Sequence, residues 1–168
     1  VQPAQPEHVD VEGILRGIHL AHPAPTGDGD ERPRVQLLAS GVAVPWALKA
    51  QRLLAEEWQV RADVWSVTSW NELNRDAVRC AEWNLLHPEQ PRTPYVTQRL
   101  GDVAGPLIAV SDYMHAVPDQ IRQFVPGDYA TLGADDYGFS DTRAAARRFF
   151  KIDGPSLVVR ALESLVAR

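Results

Sequence analysis

Two adjacent carboxylates, Asp135-Asp136, sit in the stretch Gly133-Ala134-Asp135-Asp136-Tyr137-Gly138-Phe139-Ser140-Asp141-Thr142-Arg143. Paired acids can exchange a proton with a substrate or hold a cation through oxygen. Neighbours in sequence point apart, however, and acids in a loop are ordinarily solvated. Other chemically capable residues are equally incomplete. His19 and His22 lie close together, but a zinc site needs three or four ligands and no second pair accompanies them. Cys80 falls on the apolar side of a helical repeat and reads as an inert core thiol. Asp28, Asp30 and Glu31 lack the later Glu of a calcium loop. Ser40-Gly41 ends an apolar run, but no G-x-G-x-x-G or G-K-S/T follows to cradle phosphate. No G-x-S-x-G presents a nucleophilic serine. Residue by residue, the chain offers no catalytic, cofactor-binding or metal-binding site.

Side chains suited to binding another protein are easier to find. Trp65, Trp70 and Trp83 flank one strand end and its helix. Large rings enrich interface centres because they bury much area with few rotors to fix, although the same rings also fill sheet–helix layers. Tyr113-Met114 follows another strand, at the carboxyl edge where α/β proteins place their contacts. With Asp136 and Tyr137 of the acidic loop, the candidate interface is Trp65, Trp70, Tyr113, Met114, Asp136 and Tyr137. If these serve an interface, part of the set should stand exposed as an apolar patch.

These residues must be positioned by alternating strands and helices. Apolar, β-branched runs predict strands at 17–21, 34–39, 62–67, 106–110 and 128–132. Helical spacing of Val44, Ala47, Leu48, Leu54, Ala55 and Trp58 predicts a helix over 43–58, with Pro45 harmless in its first turn. Ser69-x-x-Glu72 is a capping box that starts a second helix near Trp70. From Glu89 to Gly101 the chain is rich in Pro, Arg and Gln, with Tyr95 and Val96 as anchors. Asp112 is placed to cap a short turn, and Pro118 to begin a short helix ending at Val125. Gly133 and Gly138 allow positive φ, and Ser140 can cap a helix reaching Phe150. The last helix, 154–168, carries the stripe Val158, Ala161, Leu162, Leu165, Val166. The order β, β, α, β, α, β, α, β, α, α implies a three-layer α/β/α fold around a mostly parallel five-stranded sheet.

Composition sets outer bounds. At 168 residues and 45 % hydrophobic content the chain is one globular domain with a substantial core. A net charge of −5 argues against non-specific nucleic-acid binding. No run of about 18 apolar residues suggests a membrane span. One cysteine, and no basic-then-apolar leader, fit a cytoplasmic protein. Val1-Gln2-Pro3-Ala4-Gln5-Pro6-Glu7 reads as a linker, so residues 1–12 are expected to be extended chain from a preceding domain and 13–168 the folded domain. Between Pro23 and Pro33, three prolines, two glycines and the acids 28–31 predict a mobile loop.

Several segments also resemble a known family. Leu132-Gly133-x-Asp135-x-Tyr137-Gly138-x-Ser140 is similar to the G-x-D-x-F/Y-G-x-S segment of transketolase C-terminal domains. Its continuation, Ser140-Asp141-Thr142-Arg143, resembles the branch formed by homodimeric pyruvate dehydrogenase E1 components. Asp63-Val64-Trp65-Ser66-Val67-Thr68-Ser69-Trp70-Asn71-Glu72-Leu73, Glu82-Trp83-Asn84-x-Leu86-His87-Pro88 and Val110-Ser111-Asp112-Tyr113-Met114 resemble further stretches of that branch, in its order. Val35-Gln36-Leu37-Leu38 resembles its V-Q-L-L-G-S-G strand, with Ala39 replacing the first Gly. The departures are the acidic loop 23–33 and the alanine-rich last helices.

The resemblance implies the C-terminal domain of an enzyme that decarboxylates pyruvate with thiamine diphosphate and Mg2+ and reductively acetylates the lipoyl group of E2, the dihydrolipoyl acetyltransferase. In that family the cofactor, metal and catalytic residues belong to two preceding domains. No catalytic residue is carried onto this chain, and an isolated domain is expected to be inactive. Expected partners are the preceding domains, a second E1 subunit and the E2 complex. The resemblance also implies a mixed sheet whose first strand is antiparallel. A stand-alone α/β module binding a small ligand or a partner is the alternative.

Overall fold

Nearly every side chain of the central strands is buried on one sheet face or the other. The computed structural model describes residues 9–25, 31–138 and 140–167. Its strands are β1 (Ile18–His22), β2 (Arg34–Ala39), β3 (Arg61–Val67), β4 (Leu107–Val110) and β5 (Tyr129–Leu132). They form one five-stranded sheet in the order β1-β3-β2-β4-β5. β1 runs antiparallel to β3, and all other pairs are parallel. This is the mixed, mostly parallel sheet that the sequence implied. Near-continuous apolar strands are what burial on both faces requires.

The helices are α1 (Val11–Arg16), α2 (Val44–Trp58), α3 (Trp70–Leu86), α4 (Tyr95–Leu100), α5 (Ala116–Asp119), α6 (Arg143–Phe149) and α7 (Gly154–Val166). Val35, Leu37, Val64, Ile108 and Val110 meet α2 and α7 on one face of the sheet. Leu38, Trp65, Val67, Leu107 and Ala109 meet α3 and α4 on the other. Two-residue alternation along each strand feeds these layers in turn. No helix among the described residues is long and apolar enough to cross a membrane.

Local chemistry sets the element ends. Ser69 accepts a hydrogen bond from the Glu72 amide at 3.1 Å, so the capping box starts α3 as expected. Gly17 ends α1 at φ 105°, where a Cβ would stand 2.7 Å from the Ser69 carbonyl oxygen. Gly105, at φ 92°, packs so closely that a Cβ would lie 1.7 Å from the Arg34 carbonyl oxygen. Only glycine accommodates both the angle and the approach.

Several expectations are corrected. Residues 1–8 of the expected linker lie outside the described residues, but Val11 and Glu12 open α1 because the Asp10 carboxylate caps it at the Gly13 amide, 2.8 Å away. The acids Asp28 and Asp30 of the expected mobile loop also lie outside them. Tyr95 and Val96 are buried as anchors, within a helix that the polar run did not announce. Pro118 is the third residue of α5 rather than its first. Thr142, not Ser140, caps α6. Ser111 rather than Asp112 accepts from the turn, at the Tyr113 amide. Trp58 and Val166, placed on apolar stripes, stand exposed at their helix ends.

Candidate functional site

The connection from β2 through α2 to β3 leads to one side of β2, whereas β4 lies on the other. Chain departures at the carboxyl ends therefore diverge between β2 and β4, and such a switch point opens a crevice. A cavity of about 870 Å³ lies along this edge, lined among others by Ser40, Val42, Thr68, Asn71, Asp112 and Tyr113. Ser40 Oγ donates to Ser111 Oγ at 3.3 Å beneath it. The lining is made of hydroxyls, an amide and apolar side chains, with one carboxylate, Asp112, and no histidine, cysteine, lysine or arginine. Nucleophilic or acid–base chemistry needs a base within reach of a nucleophile or substrate proton. Asp112 is the one group in the lining that could act as such a base.

Two loops rise beside the cavity. The Tyr113 amide donates to Ser111 Oγ at 3.1 Å, which turns the chain after β4 and presents Tyr113 and Met114 outward. The loop after β5 is tied to it at three points. The Ala134 amide donates to the Tyr113 carbonyl oxygen at 2.8 Å. The His115 amide donates to Asp135 Oδ1 at 2.8 Å, and His115 Nδ1 lies 2.5 Å from Asp135 Oδ2. Both carboxylate oxygens of Asp135 are thus engaged. The His115 amide, aided by its ring, holds the Asp135 carboxyl below the usual aspartate range against a smaller desolvation effect. Neither Gly133 nor Gly138 uses the positive φ open to a glycine. The role of Gly133 is proximity, since a Cβ there would come within 2.5 Å of the His115 nitrogen. Asp136 instead takes the positive φ, 88°, and its Oδ1 accepts from the Tyr137 amide at 2.7 Å.

The proposed interface residues divide cleanly. Tyr113, Met114 and Tyr137 are 61, 57 and 92 % exposed, and Asp136 is exposed beside them. Trp65 and Trp70 are each only 5 % exposed. They fill the layer between the sheet and α3 and α4, so they belong to the core and not to a surface patch. Trp83 lies between the His87 ring, stacked at 3.7 Å, and the Arg92 guanidinium, 3.5 Å from its ring centroid.

Sequence reasoning missed a polar network inside the sheet. Arg34 grips Asp63 with two hydrogen bonds of 2.6 and 2.7 Å, and the Ala24 amide adds a third at 2.8 Å. Trp65 Nε1 donates to Gln36 Oε1 at 2.8 Å. The available signal was a Gln and an Asp within otherwise apolar strands, since a buried polar group needs a partner.

The other candidates stay unassembled. His19 and His22 lie on β1, and burial is the main cause pushing the His19 imidazole below its usual pKa. Burial raises the pKa of the Cys80 thiol on the inner side of α3. Among the described residues, no three His, Cys, Asp or Glu side chains converge to hold a metal.

Known proteins similar to this chain fall into one family, its relatives and its structural neighbours. Residues 21–153 match the family model of the transketolase-like TK C-terminal domain. The chain is 57 % identical over 166 residues to the pyruvate dehydrogenase E1 component of Mycolicibacterium smegmatis, covering 98 % of this chain and 17 % of that protein. It is 42 % identical over 168 residues to the E1 component of Escherichia coli K12, covering 99 % of this chain and 18 % of that one. Its fold is similar to transketolase from Pichia stipitis (TM-score 0.60, 17 % identity, 96 % of this chain and 20 % of that one). It is also similar to transketolase from Leishmania mexicana (TM-score 0.58, 21 % identity, 94 % and 19 %). The chain thus spans less than a fifth of the length of the E1 relatives it matches.

Proposed function

Because this chain belongs to the transketolase-like TK C-terminal domain family, we propose that it is the C-terminal structural and interaction domain of a thiamine diphosphate-dependent pyruvate dehydrogenase E1 component. Identity of 57 % along 98 % of this chain, within 17 % of the relative's length, is the observation that carries the reading. In this reading the domain begins with Asp10 and α1, and the segment before them links it to preceding domains. The whole enzyme decarboxylates pyruvate and reductively acetylates the lipoyl group of E2. It works in the cytoplasm as a homodimer within the E2 complex.

Thiamine diphosphate with Mg2+ requires oxygen ligands for the ion and donors for the phosphates. The described residues bring no three ligands together, and the carboxyl-edge cavity offers hydroxyls and one carboxylate. They do not fit the cofactor, so no catalytic step is assigned to this chain. The cofactor and the reacting groups belong to the preceding domains.

Calorimetric titration of thiamine diphosphate and Mg2+ tests the reading. The isolated 168-residue chain is expected to give no saturable heat and the full-length polypeptide to bind and turn over pyruvate. Saturable binding by the isolated chain, or a full-length polypeptide inert towards pyruvate, would overturn it.

A further inference from the structure

A cavity of about 380 Å³ lies where α1, α3 and the start of α4 meet, away from the carboxyl edge. Arg16, Arg79 and Arg92 line it, with Asp76 as the one carboxylate. The lining thus carries an excess of two positive charges in a chain whose net charge is −5. Asp76 is already engaged: its Oδ2 accepts from the Tyr95 amide at 2.7 Å, and its Oδ1 lies 3.6 Å from Arg16. Arg16 also meets Glu12 at 3.1 Å. Among the described residues, no carboxylate pairs with Arg79 or Arg92.

Two of the guanidinium groups are held in place by aromatic rings. Arg16 lies over Tyr95, 3.9 Å from the ring centroid, and Arg92 over Trp83 at 3.5 Å. The backbone of Arg92 is fixed as well, because its amide donates to Asn84 Oδ1 at 2.6 Å and its carbonyl accepts from Asn84 Nδ2 at 2.9 Å. A ring takes the flat face of a guanidinium and leaves free the N–H edge that binds oxyanions. Groups fixed before a ligand arrives lose little freedom on binding it. We propose that Arg16, Arg79 and Arg92 form a binding site for the phosphoryl group of a small organic phosphate monoester. The three side chains belong to α1, α3 and the loop before α4, so they reach the cavity from separate elements, which suits a tetrahedral anion better than a planar carboxylate. Two excess charges match a phosphate dianion. A phosphoryl group fills only part of the cavity, and Thr93 and Gln98 line it with a hydroxyl and an amide for a polar organic remainder. A diphosphate carrying Mg2+ is not such a ligand, since the metal neutralises the charge that the arginines would meet and no three ligands here hold the ion.

Arginine labelling in the full-length protein tests this. Phenylglyoxal modifies accessible guanidinium groups, and peptide mass spectrometry reads each one. Arg79 is exposed and is expected to react. Glycerol 3-phosphate is expected to protect it saturably, at about tenfold lower concentration than orthophosphate or acetate. Arg75, 61 % exposed on the same helix and paired with Glu72, lies outside the cavity and is expected to label unchanged. Arg92→Ala is expected to raise the protecting concentration about tenfold, through loss of a charged hydrogen-bond donor. An unreactive Arg79, no protection, or equal protection of Arg75 overturns the site. Orthophosphate as effective as glycerol 3-phosphate overturns the organic ligand, acetate as effective overturns the phosphoryl group, and unchanged protection in Arg92→Ala overturns the part given to that residue. Pyruvate turnover by the same protein reports on the E1 reading separately, and the arginine site stands or falls without it.

Discussion

Burial alone would raise the pKa of Asp63, and desolvation is indeed the largest single effect on it. The hydrogen bonds from Arg34 and the Ala24 amide, with the nearby Gln36 amide and the Arg34 charge, together outweigh it, and the carboxyl titrates below the usual aspartate range. A carboxyl with a lowered folded-state pKa contributes stability that is fully present above the unfolded value of about 3.9 and is lost as pH falls through the folded value. Asp63→Ala is expected to destabilise the domain by about 3 kcal/mol in urea unfolding at neutral pH, because it leaves the Arg34 guanidinium without its partner. The same substitution should flatten the decline in stability below about pH 4. The sequence exposed Asp63 and Gln36 as polar residues in apolar strands, but their partners lie 29 or more positions away and could not be paired from spacing. Of the candidate interface residues, Tyr113, Met114 and Tyr137 stand exposed while Trp65 and Trp70 are buried, the other of the two readings open to a tryptophan in sequence. A tryptophan's area serves a core and an interface equally well, and only its position on the sheet face decides.

At the scale of elements, periodicity found what is long and two-sided. The strands and the helices α2, α3 and α7 were legible because their stripes repeat over several turns or face two buried layers. The six-residue helices α1 and α4 were not, because so short a helix carries too little repeat. The cap of α6 shifted from Ser140 to Thr142 because either hydroxyl suits a helix start and the loop path selects between them. Three predictions belong here. Ser69→Ala removes the hydroxyl that accepts from Glu72 and should cost about 1 kcal/mol, read from the urea midpoint. Gly105→Ala forces a Cβ into the Arg34 carbonyl at a positive φ and should cost about 3 kcal/mol or more, or abolish folding, as followed by circular dichroism. By contrast Gly127, also at positive φ but with open space where a side chain would stand, should accept Ala for about 1 kcal/mol.

Across the whole molecule, the fold was legible because alternating strands and helices leave few topologies, and the antiparallel first strand followed from family resemblance. The tie between the loops at His115 and Asp135 was not legible, since it depends on β4 and β5 lying side by side. The same adjacency gives the molecule its division of labour in the proposed reading: a buried sheet as support, and a carboxyl edge that presents the exposed loops. The central claim is that this sequence is part of a much larger E1 polypeptide, and the mass of the native chain tests it most directly. Antiserum raised against this 18.6 kDa chain would probe a denaturing blot of source-cell extract. A band several times larger than 18.6 kDa is expected. A single band at 18.6 kDa would contradict it and leave a free-standing binding module in its place.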